Sequence, residues 1–211
     1  KAKVKPKFTQ IFSQTAAINW LSAARFFLFG ARDVWFVVAL PVFLHSVLKW
    51  SFTEVGSFMA LWVIGYGVIQ ASTPQLLKRD GQAPQGPSAR NWAILLCIIP
   101  SAMAVALMLG HSASIIVIVG LAVFGGVFAI NSAVHSYLIL AYASGDKVAL
   151  NVGFYYMANA GGRLTGTILS GWGYQSYGLL GCLWISAAFL GMAFLLSLPL
   201  PASQAIKSNA T

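Results

Sequence analysis

The chain has 211 residues, of which 58% are hydrophobic and only 8% are charged. Because soluble domains carry roughly 25% charged residues, this composition excludes an ordinary soluble domain and predicts a membrane protein. The formal net charge of +9 is then explained by the side of the membrane on which basic residues lie, and it does not indicate binding to nucleic acid.

Six membrane spans are predicted, since six stretches have the roughly 20 apolar residues that one helical crossing needs. Barrel strands alternate apolar and polar residues and these stretches do not, so the spans are predicted to be helices. The predicted fold is all-α, with a transmembrane bundle over residues 16–198 between a cytoplasmic linker (1–15) and a cytoplasmic tail (199–211). In chain order the spans are residues 16–47, 55–76, 92–110, 114–142, 150–172 and 178–198.

Three connections between the spans have their own sequence signals. Residues 74–90 contain several prolines and are predicted to form an aqueous loop. The stretch from Asn91 to Gly145 has no Lys, Arg, Asp or Glu, so it is predicted to hold two spans joined by a turn at residues 111–113. Residues 173–177 are predicted to be the hinge between the last two spans.

The basic residues predict the orientation of the bundle, because Lys and Arg are retained on the cytoplasmic side. An even number of spans puts both chain ends on one side, and the opposite side then holds only Lys49. Both termini are therefore predicted in the cytoplasm, with the bundle in the inner (cytoplasmic) membrane. The basic residues assigned to the cytoplasmic side are Lys1, Lys3, Lys5, Lys7, Lys78, Arg79, Arg90, Lys147 and Lys207.

Four charged residues fall inside predicted spans: Arg25, Arg32, Asp33 and Arg163. A charge at that depth costs about 2.5–3.5 kcal/mol on insertion scales, so such residues normally face a bundle interior or a cavity. Arg25 and Arg32 are seven residues apart, close to two helical turns, and are predicted to share a face. Adjacent helical residues do not face each other, so Asp33 is expected to meet a cation on another helix rather than Arg32, or to exchange a proton.

Three cations against one anion predict a binding site for an anionic substrate. The planar guanidinium suits this role because it grips carboxylate and phosphate groups with two parallel hydrogen bonds. Neutral hydrogen-bonding members of the site are predicted in the fourth and fifth spans. The predicted substrate-binding residues are Arg25, Arg32, Arg163, Asn131, His135, Tyr137, Tyr155 and Asn159.

Structural roles remain open for several of these residues. The side chain of Arg25 can also extend to the headgroups, because it lies near the cytoplasmic end of its span. Asp33 can be either a fixed counter-charge or a proton carrier, and His135 can be a simple hydrogen-bond partner between helices. No metal-ligand spacing and no nucleophile in a triad context are present, so neither a metal, a cofactor nor an enzyme is predicted.

Small residues recur at intervals of four in the fifth span, at Gly162, Gly166 and Ser170. This spacing lets helices approach closely, so the predicted role of the three residues is helix packing. The longer run GGRLTGTILSGWGYQSYGLLG, from Gly161 to Gly181, resembles the eleventh span and following turn of major facilitator superfamily transporters. The resemblance implies that the six helices are the C-terminal half of such a fold. The chain, which begins at Lys1, is therefore expected to be a fragment that lacks an N-terminal six-helix half.

Two further stretches are similar to the ArsJ family of organoarsenical efflux permeases. They are NWLSAARFFLFGARDVWFVVALPVFL, from Asn19 to Leu44, and NVGFYYMANAGGRLTGT, from Asn151 to Thr167. The resemblance implies arsenate resistance by export of 1-arseno-3-phosphoglycerate, a doubly anionic ester made by a partner glyceraldehyde-3-phosphate dehydrogenase. It assigns no individual binding residue. Three alternatives remain: an exporter of another phosphorylated or carboxylated metabolite, a membrane scaffold subunit that transports nothing, and a membrane-embedded enzyme whose catalytic group lies outside this sequence.

Overall fold

The computed structural model describes residues 15–78, 83–143 and 148–202, and the regular elements in these ranges are α-helices. Residues 1–14 of the predicted linker, the tail beyond residue 202 and most of the basic residues assigned to the cytoplasmic side lie outside them. In chain order the elements are α1 (Ala16–Phe36), α2 (Ala39–Ser46), α3 (Phe52–Lys78), α4 (Gly86–Met108), α5 (Ala113–Tyr142) and α6 (Val148–Ser197).

The first predicted span is made of two helices, α1 and α2, with a short interruption at residues 37–38. A side chain from α6 supplies hydrogen-bond partners next to this break. The hydroxyl oxygen of Ser170 accepts hydrogen bonds from the backbone N–H groups of Val38, at 3.3 Å, and Ala39, at 3.0 Å. Backbone donors inside a bundle need such partners because no water is available to them.

The connection after α3 is shorter than the sequence predicts. α3 continues to Lys78 and includes Pro74, while α4 begins at Gly86 with Pro87 in its first turn. Proline is tolerated in a first turn because the N–H that it lacks has no intrahelical partner there. The predicted aqueous loop over residues 74–90 is therefore wrong at both ends, and its middle, residues 79–82, lies outside the described residues.

The α6 helix turns back on itself at Gly178, where the backbone leaves helical geometry (φ 65°, ψ −165°). The Sγ atom of Cys182 lies 3.7 Å from the carbonyl oxygen of Ser170, although residues twelve apart in a straight helix would be about 18 Å apart. Glycine adopts the left-handed φ at this point without strain. The hinge predicted at residues 173–177 is instead helical, and the reversal follows directly after it.

The two arms of α6, residues 148–177 and 179–197, therefore run in opposite directions. After the second arm, the carbonyl oxygen of Pro201 accepts hydrogen bonds from the hydroxyl of Tyr142, at 2.7 Å, and from the N–H of Gly86, at 3.3 Å. The end of α6 thus returns to the end of α5 and the beginning of α4. Among the described residues, five helical segments are long and apolar enough to cross a membrane: Ala16–Ser46, Phe52–Gln75, Gly86–Met108, Ala113–Tyr142 and Val148–Ser197.

The α1 helix packs tightly against the first arm of α6 along the line of small residues. A Cβ atom added at Gly162 would overlap the carbonyl group of Phe26, and one at Gly166 would lie 2.5 Å from the carbonyl oxygen of Gly30. The two backbones are therefore so close that only glycine fits at these positions. This contact fixes α1 against α6 and brings the charged residues of α1 next to those of the first arm.

Candidate functional site

Polar side chains from three elements meet inside the apolar bundle. α1 contributes Arg25, Arg32 and Asp33, while α5 contributes a buried polar turn and the first arm of α6 contributes residues on either side of Asn159. Around them lie buried aromatic and aliphatic side chains such as Phe124 and Phe128. We call this group the arginine cluster. Its members are Arg25, Arg32, Asp33, Ser132, Tyr155, Asn159 and Arg163, which are linked by contacts, and the buried Asn131 and His135, which lie within one turn of Ser132 on α5.

Arg25 lies inside the bundle and joins α1 to both other elements of the cluster. Its Nη1 donates to the backbone oxygen of Ser132, at 3.1 Å, and to the Ser132 hydroxyl, at 3.2 Å. Its Nε donates to the side-chain oxygen of Asn159, at 3.2 Å. The alternative in which Arg25 extends to the headgroups is therefore not what the structure shows. Because all of these acceptors are neutral, they orient the guanidinium without cancelling its charge.

The ring of Phe29 connects the two arginines of α1. The guanidinium carbon of Arg25 lies 3.9 Å from the centroid of this ring, and that of Arg32 lies 5.0 Å from the same centroid. The predicted shared face of Arg25 and Arg32 is thus present. Aromatic faces attract cations, so the ring partly offsets the cost of holding two positive charges close together.

Asp33 is buried and binds two arginines at once. Its Oδ1 accepts from Nε of Arg32, at 2.7 Å, and its Oδ2 accepts from Nε of Arg163, at 3.1 Å. The expectation that Asp33 meets a cation on another helix holds for Arg163. The expectation that it does not pair with Arg32 is wrong, because the arginine side chain is long and flexible enough to bend back to the adjacent residue.

The cluster still carries more positive than negative charge. Arg25 contacts no carboxylate in residues 15–78, 83–143 and 148–202, and the single charge of Asp33 is shared by two guanidinium groups. The described residues leave 56% of the Arg163 side chain uncovered, whereas Asp33 is only 1% exposed. The described part of the chain therefore presents an arginine-rich site with two positive charges in excess and one arginine at its open side.

Two buried polar side chains on α5 have unused hydrogen-bonding groups. Neither the oxygen nor the nitrogen of the Asn131 amide has a partner among the described residues, and the same holds for Nδ1 of His135. The two residues are one helical turn apart and therefore share a face. Buried polar groups without partners are rare in proteins, so each one needs an explanation such as a water molecule, a ligand or another conformation.

Comparison with protein-family models identifies the fold. Residues 21–211 match the model described as Major Facilitator Superfamily. The chain belongs to the Major Facilitator Superfamily. Proteins of this superfamily are transporters rather than enzymes, so the chain is a multi-pass membrane protein of the secondary transporter class. No curated protein matches the chain.

One predicted binding residue, Tyr137, does not share the buried face of α5 that carries His135. Tyr137 lies on an exposed side of α5, with 42% of its surface uncovered. Its position follows from helical geometry, because Tyr137 is two residues from His135 and thus points to nearly the opposite side. The other seven predicted binding residues belong to the arginine cluster.

Two polar residues near Arg25 were missed. Ser132 holds Arg25 through both its hydroxyl and its backbone oxygen, and the amide of Gln70 on α3 donates to the same hydroxyl at 3.4 Å. Small hydroxyl residues are common in membrane helices, so the sequence gives Ser132 no special signal. Gln70 is the one amide side chain between Phe52 and Thr73, and this isolation in an apolar span was a usable signal.

Proposed function

We propose that this secondary transporter exports an anionic solute that binds at the arginine cluster. The observation that carries the proposal is Arg25, a buried guanidinium held by neutral acceptors and left without a carboxylate among the described residues. An uncompensated charge in a low-dielectric interior is costly, and a bound anion removes that cost. The arginine cluster therefore favours a ligand that brings negative charge.

The cluster offers each part of such a ligand a suitable partner. Arg25, Arg32 and Arg163 bind the charged oxygens, and arginine matches the planar or tetrahedral geometry of carboxylate and phosphate. The unused amide and imidazole groups of Asn131 and His135 bind hydroxyl or ester oxygens. Tyr155 and Asn159 complete the wall on the side of α6. Asp33 sets the resting charge of the site or couples transport to protons.

The proposed cargo is 1-arseno-3-phosphoglycerate, so that export gives arsenate resistance. This specific cargo rests on the similarity of residues 19–44 and 151–167 to the ArsJ family. Its supply requires a glyceraldehyde-3-phosphate dehydrogenase as a functional partner. The charge of the cluster supports the anionic class of substrate and would serve another phosphorylated or carboxylated metabolite equally well.

The proposed architecture is a six-crossing bundle that forms the C-terminal half of the transporter, with both termini cytoplasmic in the inner membrane. The reversal at Gly178 supports six crossings, because the first arm of α6 has 30 residues and the second 19, lengths of about 45 and 28 Å in a helix. The hydrogen bonds of Pro201 to Tyr142 and Gly86 further support chain ends on one side. An N-terminal six-helix half would face the cluster, and access would alternate by rocking of the halves.

Efflux in cells tests the proposed cargo. The protein is expressed with or without glyceraldehyde-3-phosphate dehydrogenase in an arsenate-sensitive host, and growth and retained arsenic are measured. The proposal predicts resistance and reduced cellular arsenic only when both proteins are present, and loss of resistance with Arg25→Gln at unchanged protein level. Efflux of ordinary phosphate esters without any gain in arsenate resistance would favour the other metabolite exporters.

A non-transporting scaffold is the second candidate, and the ion pairs of Asp33 with Arg32 and Arg163 favour it, because paired arginines can serve helix packing alone. This candidate predicts no movement of 3-phosphoglycerate in reconstituted vesicles. It also predicts that neutral substitution of Arg25 changes only the stability of the protein.

A further inference from the structure

The shared carboxylate of Asp33 has a chemical resemblance to the proposed substrate. It is an anionic oxygen pair that lies between two guanidinium groups, one from its own helix and one from the opposite helix. The two arginine partners of this carboxylate differ in how much of their side chains is exposed. The partner in α1, Arg32, has 12% of its side chain exposed, while the partner in α6, Arg163, has 56% exposed.

The two bonds also differ in length. The bond from Arg163 to Asp33 is 3.1 Å and the bond from Arg32 is 2.7 Å, so the pair with Arg163 is the weaker of the two. If Arg163 leaves, Asp33 keeps Arg32 at 2.7 Å and is not left as an unpaired buried charge. Such an unpaired charge would be the main obstacle to exchange.

An incoming anion also has a place to make its first contact. Arg32 and Arg163 both reach Asp33 through Nε, and no described residue accepts a hydrogen bond from their Nη groups. The Nη groups of a guanidinium carry most of its N–H donors. A substrate oxygen can therefore bind the Nη groups of Arg163 while Asp33 still holds Nε. Arg163 is then never without an anionic partner during the exchange.

We propose that Asp33 is a resident counter-anion: its carboxylate occupies Arg163 in the empty transporter, competes with the substrate, and takes Arg163 back to expel the substrate. This inference rests on the proposed anion site and adds a role to one residue of it. Asp33 is a positioning residue here, because it acts on the substrate through Arg163. Because Asp33 competes for Arg163, the affinity of the transporter for its substrate stays low enough for the substrate to be released.

Separate measurements of affinity and turnover test this role in the full-length protein. The probe is 3-phosphoglycerate, which carries a phosphate and a carboxylate; binding is measured in detergent and exchange in proteoliposomes. Asp33→Asn removes the competitor, so it is expected to bind the probe about tenfold more tightly and to exchange it at least tenfold more slowly. A residue that only supports folding would not tighten binding. Equal or weaker binding by a folded Asp33→Asn protein overturns the proposal.

A second comparison keeps the proposal testable if Asp33→Asn does not fold. Arg32→Gln leaves Asp33 with Arg163 alone, so binding of 3-phosphoglycerate is expected to weaken at least tenfold. The double variant Arg32→Gln, Asp33→Asn has the same net charge as the wild type and frees Arg163, so binding is expected to recover at least part of this loss. A double variant that binds no better than Arg32→Gln overturns the proposal.

The Arg25→Gln variant separates this proposal from the proposed function. If wild-type protein binds 3-phosphoglycerate and Arg25→Gln does not, the anion site stands, and the Asp33 variants then decide the role of Asp33. If binding is absent in the wild type or does not depend on Arg25, the anion site and the resident counter-anion are both overturned.

Discussion

Asp33 and Arg163, which are 130 positions apart in the chain, form an ion pair of 3.1 Å across the contact between α1 and α6. The pair lies directly beside Gly166, since a Cβ added there would lie 3.0 Å from Cβ of Asp33. The glycine packing and the ion pair therefore depend on the same close approach of two helices. Any change that separates α1 from α6 is expected to disturb the arginine cluster as well.

Replacement of Asn131 by leucine is expected to raise the stability of the protein and to lower its transport rate. The amide of Asn131 is buried and has no partner among the described residues, so an apolar side chain of similar volume removes an unsatisfied group and stabilises the protein by about 1 kcal/mol. Transport is expected to fall at least tenfold, because the substrate loses a hydrogen-bonding partner. Thermal unfolding and vesicle flux measure the two effects.

The control for this variant is Ser186→Ala. The Ser186 hydroxyl is also buried without a partner among the described residues, but it lies on the second arm of α6, which contributes no residue to the cluster. It is expected to gain stability with unchanged transport. An Asn131→Leu protein that transports normally would remove Asn131 from the binding site.

Substitution of Gly162 by alanine is expected to destabilise the bundle. The added Cβ overlaps the carbonyl group of Phe26, and overpacking of this kind costs about 1–3 kcal/mol. Gly171→Ala in the same arm is the matched control, since nothing lies within 4 Å of a Cβ there, and its effect is expected to stay within about 0.5 kcal/mol. Equal unfolding midpoints for the two variants would show that α1 and α6 are not in close contact.

The hydroxyl of Ser170 is expected to contribute to stability through the break between α1 and α2. Ser170→Ala leaves the N–H groups of Val38 and Ala39 without this acceptor, at a cost of about 1–3 kcal/mol. Ser101→Ala serves as the control, because the Ser101 hydroxyl donates only to the carbonyl of Cys97 in its own helix. The stabilities of the two variants are compared by unfolding in detergent. A smaller loss of stability for Ser170→Ala than for Ser101→Ala would contradict the contact between Ser170 and the break.

Single cysteines test the proposed topology. In a protein whose Cys97 and Cys182 are replaced, Tyr177→Cys and His111→Cys are expected to react with an impermeant maleimide from outside the cell. Ala83→Cys is expected to react only after permeabilisation, because an odd number of crossings separates it from the other two sites. If Tyr177→Cys were labelled from the same side as Ala83→Cys, α6 would not form two crossings.

Much of the fold was predictable because the apolar stretches of this chain are long and nearly free of charge. The turn between α4 and α5 was placed within a few residues, since Gly110 and His111 interrupt an otherwise apolar run. The loop around Pro74 was not, because membrane helices tolerate a proline that usually ends a helix in water. The reversal at Gly178 was assigned a few residues too early for a similar reason, as several glycines are close together there.

The arginine cluster was predictable in its membership but not in its pairing. Spacing alone put Arg25 and Arg32 on one face, and the cost of charge in a membrane marked Arg163 and Asp33 as residues of the interior. Which carboxylate oxygen meets which guanidinium depends on rotamers and on how closely α1 approaches α6. The sequence therefore did not indicate the bond between Arg32 and Asp33, nor the role of Ser132 as an acceptor for Arg25.

Uptake of labelled 3-phosphoglycerate into proteoliposomes is the most direct test of a substrate site at the buried guanidinium of Arg25. Wild-type protein and Tyr137→Phe, whose side chain lies outside the cluster, are expected to transport the probe at similar rates, while Arg25→Gln is expected to lose at least 90% of the flux, equivalent to about 1.4 kcal/mol or more. Equal flux for wild-type protein and a folded Arg25→Gln variant would show that the solute does not bind at this arginine.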